Sequence, residues 1–336
     1  MWSITQRRRQ CSACHRTWTA TPRRRGRKTL RQRSSFSRNA LEDRRSLRNL
    51  AQRCRVPFEN LRRRFHVSAA AFHRSSGLPT PPPSIPLIAI ADALHCDCEE
   101  QSVVIPIILL RAVEERTAFL AVLDALVGGE SVENWSCAFG RIPSERHDRI
   151  VALVSDDHSS LTEMARRNGW LHQTCTVHVK ARFQRWLPSR RGVRHARERW
   201  QALEAAKIIC DDPNSHRIGA AVRTLHRIGR YPDLPDLLQK HIRGLAKHWR
   251  SCRTYFIHPE LHLPDTSNAV ESVGSKVREM LGDRRGFRTL KSLRQWLSLF
   301  QKVHPTVTCN GAKNLQEPLQ KDQGEFRWLC NMILAF

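Results

Sequence analysis

Short, nearly continuous runs of apolar residues mark the middle of the chain and predict buried β-strands. The runs cover residues 84–92, 102–110, 117–126 and 149–156. Residues 130–139 and 161–168 have helical character instead, and Gly169 is expected to end the second of these segments. Strands that lack polar alternation and are interspersed with helices are typical of a sheet covered on both faces. The pattern therefore predicts an α/β domain with a mixed sheet flanked by helices.

A long helical pattern follows these strands. From 181 to 254, apolar side chains recur at helix-like intervals among many charged residues. We therefore expect an all-helical insertion here, after which the α/β core resumes at about 255–300. The capping residues at 265–268 predict that a helix begins there, and a second amphipathic helix is expected at 290–300.

The charge of the chain is large and unevenly distributed. Among 336 residues, 57 Lys and Arg outnumber 31 Asp and Glu, which gives a net charge of +26. Residues 1–74 alone carry 21 basic and 3 acidic side chains. Such an excess argues against an ordinary enzyme of small metabolites and favours a polyanionic partner, most commonly nucleic acid.

A proline-rich segment at 75–84 predicts a stiff linker, because consecutive prolines continue neither a helix nor a central strand. It separates the basic region 1–74, expected to be a small helical DNA-binding domain, from a catalytic domain at 85–310. Residues 311–336 would form a C-terminal tail. No apolar run reaches the roughly 18 residues of a membrane span, and no signal peptide is recognisable. Eleven cysteines without a regular framework favour the reducing cytoplasm.

Two motifs in the basic region are relevant to DNA binding. The first is the C-x-x-C knuckle of Cys11 and Cys14, whose thiolates have the spacing to grip one Zn²⁺. A closed zinc site needs four ligands, so free cysteines, or the remnant of a zinc ribbon, are the alternative.

The second motif, residues 46–65, resembles a helix-turn-helix. Pro57 can open its second helix, and Leu61 and Phe65 are expected to pack back on the first. Three arginines would then face phosphates or base edges. They are Arg62, Arg63 and Arg64. Arg55 stands where such turns usually have Gly, and a basic helical hairpin that binds phosphate without sequence choice is the alternative.

Two of the predicted strands end in an acidic residue, Asp92 in one and Asp156 in the other. If the strands are neighbours, the two carboxylates meet in one cleft, where oxygen ligands suit Mg²⁺ or Mn²⁺. Two such ions activate water and steady the leaving oxygen in phosphodiester cleavage, and a third carboxylate is expected from a helix. Structural roles are the alternatives: Asp92 in a turn, with Asp97 and Glu99 equally available, and Asp156 as a helix cap.

Glu271 is the acidic residue in the first turn of the helix predicted after 265–268. With Asn268 as the cap, its carboxylate could fold back onto the cap amide, which would make it a structural residue.

Taken together, five motifs resemble the DDE-type transposases of bacterial insertion sequences, in the broad Mutator-like group. In chain order they are Asp92, Ser155-Asp156-Asp157-His158, Cys175-Thr176-Val177-His178, Thr266-Ser267-Asn268-Ala269-Val270-Glu271-Ser272 and Gly286-Phe287-Arg288. The resemblance covers about residues 85–300 and implies an RNase H-like core with a helical insertion between the second Asp and the Glu. Cys175 and His178 match the C-x-x-H signature of the family. Where the family usually has Ser-Asp-Gly, this chain has Ser155-Asp156-Asp157, so Asp157 is a rival to Asp156.

The resemblance implies that Asp92, Asp156 and Glu271 hold Mg²⁺ or Mn²⁺ and catalyse strand cleavage and strand transfer. The substrates would be double-stranded DNA, both the terminal repeats of the element and the target, bound by a homodimer or a larger assembly. The location would be the bacterial cytoplasm, associated with the nucleoid. His178 is expected to border the cleft and contact the scissile strand, unless Cys175 and His178 are a structural pair.

Two other functions remain open. One is a transposase-derived DNA-binding protein that no longer cuts. The other is a basic nucleic-acid binder without a catalytic cleft, in which the acid-ended strands are coincidental.

Overall fold

The structure, a computed structural model, describes most of the chain from residue 84 onwards and a smaller part before it. The described residues are 8–10, 17–19, 48, 51–52, 55–73, 84–189, 193–283, 287 and 289–309. Cys11, Cys14, most of the 75–84 linker and the tail 311–336 lie outside them, as does the side chain of Arg64.

The strands are short at the N-terminus and long in the centre. They are β1 Arg8–Gln10, β2 Thr17–Thr19, β3 Leu87–Cys98, β4 Gln101–Ala112, β5 Thr117–Leu123, β6 Leu126–Val127, β7 Ile150–Ser155, β8 Leu171–Thr174 and β9 Thr306–Thr308. Short 3₁₀ helices at Trp249–Arg253 and Pro259–Leu261 join some of the helices. The α-helices are α1 Phe58–His73, α2 Val132–Phe139, α3 Ser144–His147, α4 Ser159–Asn168, α5 Thr176–Gln184, α6 Ala196–Asp211, α7 Ser215–Ile228, α8 Asp236–His248, α9 Thr254–Ile257, α10 Asn268–Asp283 and α11 Leu290–Val303.

A mixed sheet lies at the centre of the part of the chain that is described. Its strand order is β8-β7-β3-β4-β5-β9, and β6 pairs with β4. The strands β3, β4 and β5 form an antiparallel meander, whereas β7 and β8 run parallel to β3. One face of the sheet is covered by α10 and α11, and the other by α2 and α4. The α/β class and the mixed sheet flanked by helices are thereby confirmed.

The strand that carries Asp92 is longer than expected. Pairing with β4 continues without interruption to Cys98, so Asp92 lies within β3 rather than at its end or in a turn. The hairpin turns at Glu99 and Glu100, whose φ angles are 54° and 60°. Two left-handed residues in a row give a tight hairpin turn, which usually takes Asn or Gly. Because neither is present here, the sequence does not mark the turn.

The stretch expected to be an all-helical insertion is helical in every element described between 176 and 257. Its helices α5 to α8 form an apolar core of their own, separate from the two faces of the sheet. The apolar faces of these helices are buried against one another. Within the described ranges, no helix is both long and apolar enough to cross a membrane.

Helix α1 begins directly after Pro57, and Arg55 adopts a left-handed φ of 49° in the turn before it. Phe65 was expected to pack on a preceding helix. Most of that helix lies outside the described residues. The ring of Phe65 stacks on Trp296 of α11 with centroids 4.2 Å apart, and Phe65 is fully buried in the core beneath the sheet. The C-terminal half of the predicted DNA-binding motif therefore shares the core of the α/β domain.

Candidate active site

Asp92 and Asp156 come together because β3 and β7 are parallel neighbours. Ile90 of β3 pairs with Val154 of β7, and two residues beyond this pair stand Asp92 in β3 and Asp156, the first residue after β7. Alternation along β3 places Asp92 on the same face as Ile90 and Leu94, which belong to the core beneath α10. The prediction that the two acids lie close together required β3 and β7 to be neighbours, and the structure shows that they are.

Glu271 reaches the same face of the sheet from the first turn of α10. The helix approaches β3 closely at Gly274, where an added Cβ would lie 3.3 Å from Leu94 Cδ2 and 3.7 Å from Ile107 Cδ1. Glycine therefore permits the close contact that brings Glu271, one turn earlier, against the sheet. The side chain of Glu271 is buried.

The electrostatics of Asp92 show that the three acids share one environment. The pKa of Asp92 is raised to about 7, mainly by burial and also by the negative charges of Asp156 and Glu271. His178 and the Ala93 amide, which donates to Asp92 Oδ1 over 2.9 Å, act in the opposite direction. The acids from β3, β7 and α10 therefore repel one another, and an imidazole partly compensates.

The imidazole belongs to a cluster that joins the start of α5 to the start of α10. Ser267 donates from Oγ to Glu271 Oε1 at 2.6 Å and from its amide to Cys175 Sγ at 3.3 Å. His178 Nδ1 lies 3.6 Å from the same Glu271 oxygen. Glu271 was weighed as half of a capping box with Asn268 as the cap. The contact observed is instead with the Ser267 hydroxyl, which fixes the direction of the carboxylate.

Cys175, His178 and Glu271 also have the chemistry of a metal-ligand set. Their ligand atoms lie within 4.8 Å of one another, the one such group of three among the described residues. The acids Asp92, Asp156 and Glu271 do not form so close a group. Burial lowers the pKa of His178, but Cys175, Glu271 and Asp92 together outweigh it and raise the pKa to about 9. His178 and Glu271 therefore form an ion pair, and a metal ion that bound this set would have to displace the imidazole proton.

Asp156 and Asp157 differ in their partners although they are adjacent. Asp157 forms an ion pair with Arg182 of α5 and is about half exposed. Asp156 Oδ1 accepts the amide of His158 at 3.1 Å, just before α4, and does not act as the helix cap residue. Its charge acts on Asp92. These partners therefore favour Asp156 over Asp157 as the acid that acts together with Asp92.

Sequence reasoning missed a fourth carboxylate, that of Glu130. It lies 3.6 Å from both His95 Nε2 and His158 Nδ1, and Trp135 Nε1 donates to it over 3.3 Å. Burial raises its pKa, as does the nearby charge of Asp156, while the histidines lower it. The only signal in the sequence is its position directly after Gly128-Gly129, which is common for a residue at the start of a helix.

The arginines proposed for DNA binding lie on α1. Arg62 and Arg63 are exposed, and Arg62 forms an ion pair with Glu59 at 3.1 Å. Neither a protein family model nor a curated protein matches the chain. The interpretation of the site therefore rests on its residues and their geometry.

Proposed function

We propose that this protein is a DDE-type transposase with an RNase H-like core, which cleaves and joins DNA strands. The observation that carries the proposal is the interaction of Asp92, Asp156 and Glu271. They come from a central strand, the end of its parallel neighbour and the start of a helix that follows a long insertion. Folding alone gives no reason for three mutually repelling acids to gather on one face of a sheet.

The donor set of the three acids fits Mg²⁺ or Mn²⁺. These ions prefer carboxylate oxygens, and the pKa of Asp92 is raised first by burial and then by the nearby charges of Asp156 and Glu271, both of which a bound cation would offset. Asp92, Asp156 and Glu271 would hold the ions. The bound ions would lower the pKa of a water or 3′-hydroxyl nucleophile and stabilise negative charge on the leaving oxygen.

The surrounding side chains hold the acids in position before any ion binds. The Ser267 hydroxyl orients Glu271, and the protonated His178 offsets part of the negative charge of Asp92 and Glu271. Arg182 pairs with Asp157, which keeps that second carboxylate away from the site. His178 therefore acts as a positioning residue, because its positive charge reduces the repulsion among the acids in the free protein.

The basic N-terminal region would recognise the ends of the element. Residues 1–74 carry 21 basic side chains, and exposed Arg62 and Arg63 on α1 are available to phosphates. Because α1 packs on α11 through Phe65, bound DNA would be held at a fixed position relative to the catalytic core. A dimer or larger assembly would bring two ends together.

The test is cleavage of a duplex that carries the DNA flanking the coding sequence, with Mg²⁺ or Mn²⁺ present. Asp92→Asn, Asp156→Asn and Glu271→Gln should each lose strand cleavage and retain DNA binding. Asp148→Asn, at an exposed carboxylate outside the site, is the matched control and should cut normally.

Wild-type cleavage by all three variants would show that the site assignment is wrong. A wild-type protein that binds these ends but never cuts them would favour the transposase-derived DNA-binding protein.

A further inference from the structure

A row of cations lies along the exposed side of α8. Lys240, Arg243 and Lys247 occupy positions i, i+3 and i+7, so they share one helix face, and all three are exposed. They line one surface groove with Gln239, Gly244 and Asp236. At a rise of about 1.5 Å per residue, the row is about 10 Å long.

Helix α5 extends this positive surface towards the acids of the candidate active site. It packs on α8 and carries Arg182, and the exposed Arg185 directly follows it. The pKa of His241, next to Lys240, shows that the two helices are close in space. Burial lowers this pKa most, the charges of Arg182, Lys240 and Arg185 lower it too, and Asp157 raises it. Asp157 directly follows Asp156, so the positive surface begins beside the acid cluster.

Most of these cations lack a counter-charge within the protein. Arg182 is paired with Asp157, and Arg243 bonds the Gly229 carbonyl and Gln239. Arg185, Lys240 and Lys247 have neither an ion-pair nor a side-chain hydrogen-bond partner among the residues described. Elsewhere on the helical block, several surface cations do have acidic partners. Examples are Lys180 with Asp211, Lys207 with Glu204, and Arg217 with Asp212.

We infer that Arg185, Lys240, Arg243 and Lys247, hereafter the cationic face, bind the phosphodiester backbone of the DNA whose strand enters the acid cluster. Successive phosphates of one strand advance by about 3.4 Å along a duplex, so a row of about 10 Å spans about three of them. The identity of the DNA as substrate rests on the proposed function. The helical insertion thus has a task of its own, which is to hold the DNA beside the site while α1 binds it elsewhere.

The test uses the full-length chain with Arg185→Gln, Lys240→Gln and Lys247→Gln combined, which removes the three cations without partners. The control removes the same charge from exposed positions on α6 and α7, as Arg197→Gln, Arg223→Gln and Arg227→Gln combined. Arg227 bonds Gln201 of α6 and lines no part of the groove that the cationic face forms. Circular dichroism checks that both variants keep the helical content of the wild type.

The readout is the dissociation constant for a fluorescently labelled duplex of the flanking DNA, measured against NaCl concentration without divalent metal. Each lost phosphate contact lowers the slope of log K against log salt by about 0.9, so the cationic-face variant should lose about 3 in slope. The control should keep the wild-type slope. A second variant, Lys240→Glu, should weaken binding more than Lys240→Gln, because it adds repulsion.

Equal slopes for the cationic-face variant and the control would overturn the inference, whether the face then binds an acidic protein or nothing. Because binding is measured without cleavage, this result would leave the proposed catalytic function standing. Conversely, a wild-type protein that never cleaves DNA would defeat the proposed function without altering the salt slopes.

Discussion

Arg182 and Asp157 form an ion pair that separates two adjacent acids. Asp157 is turned towards α5, while Asp156 accepts the His158 amide and acts electrostatically on Asp92. The family resemblance alone left these two acids as rivals. Their partners now distinguish them, because a carboxylate already paired with a guanidinium is poorly placed to bind a cation in the cleft.

The first prediction concerns this choice. Asp156→Asn should abolish metal-dependent strand cleavage, because it removes a charged oxygen ligand beside Asp92. Asp157→Asn should cut within about tenfold of wild type, since it removes only the partner of Arg182, and exposed ion pairs contribute about 1 kcal/mol or less. The measurement is the single-turnover cleavage rate of the duplex. The reverse result would move the second catalytic acid from Asp156 to Asp157.

The second prediction concerns stability and pH. Asp92 has a pKa of about 7 in the folded protein against an ordinary value of 3.8, so the folded state binds the proton more tightly than the unfolded state does. Its contribution to stability is therefore complete below about pH 4 and is lost as the pH rises through about 7. In the absence of divalent metal, Asp92→Asn should raise the free energy of unfolding near pH 8 by a few kcal/mol.

Urea unfolding near pH 5 and near pH 8 measures this effect. The difference between Asp92→Asn and wild type should shrink at the lower pH, and Asp148→Asn should show no comparable trend. If the difference between the two proteins stays constant with pH, deprotonation of Asp92 does not destabilise the folded protein.

The third prediction concerns His178. Its positive charge lowers the pKa of Asp92, so His178→Gln should raise that pKa and move the acidic limb of the pH–rate profile to higher pH. A shift of about one unit lowers the rate on that limb about tenfold, with less loss at high pH. His226→Gln, at an exposed histidine of α7, is the control. An unchanged profile for a folded His178→Gln protein would leave only a structural role.

The fourth prediction concerns the N-terminal helix. Phe65→Ala should lower the free energy of unfolding by about 3–5 kcal/mol, because the ring is fully buried against Trp296. Val67→Ala, at an exposed position of the same helix, should change it by about 0.5 kcal/mol or less. The measurement is urea unfolding of the full chain. Equal stability of the two variants would show that α1 is not docked on α11.

Local pattern was sufficient for much of the fold. The apolar runs of β4 and β7 and the helix ending at Gly169 could be predicted because burial on both faces and a left-handed C-cap leave clear signatures. The polar second half of β3, from His95 to Cys98, leaves none, since those residues are held in the strand by pairing with β4. This is why Asp92 was expected at a strand end.

The site itself was only partly predictable. Its acids stand at recognisable positions, but the contacts between Ser267 and Cys175 join segments 92 residues apart, and no spacing rule specifies them. Glu130 resembles an ordinary residue before a helix until tertiary packing places it beside two histidines. Its role depends on neighbours that only the folded chain supplies.

The edge strand β9 has a consequence for how the protein is made. It pairs with β5, with Thr308 opposite Thr117, and α11, which carries Trp296, directly precedes it. A ribosome therefore releases the helical block before the elements that cover one face of the sheet. A chain that ends prematurely before Trp296 leaves the part of that face that α11 covers open to aggregation and proteolysis. Such incomplete chains are therefore expected to be removed by cellular quality control.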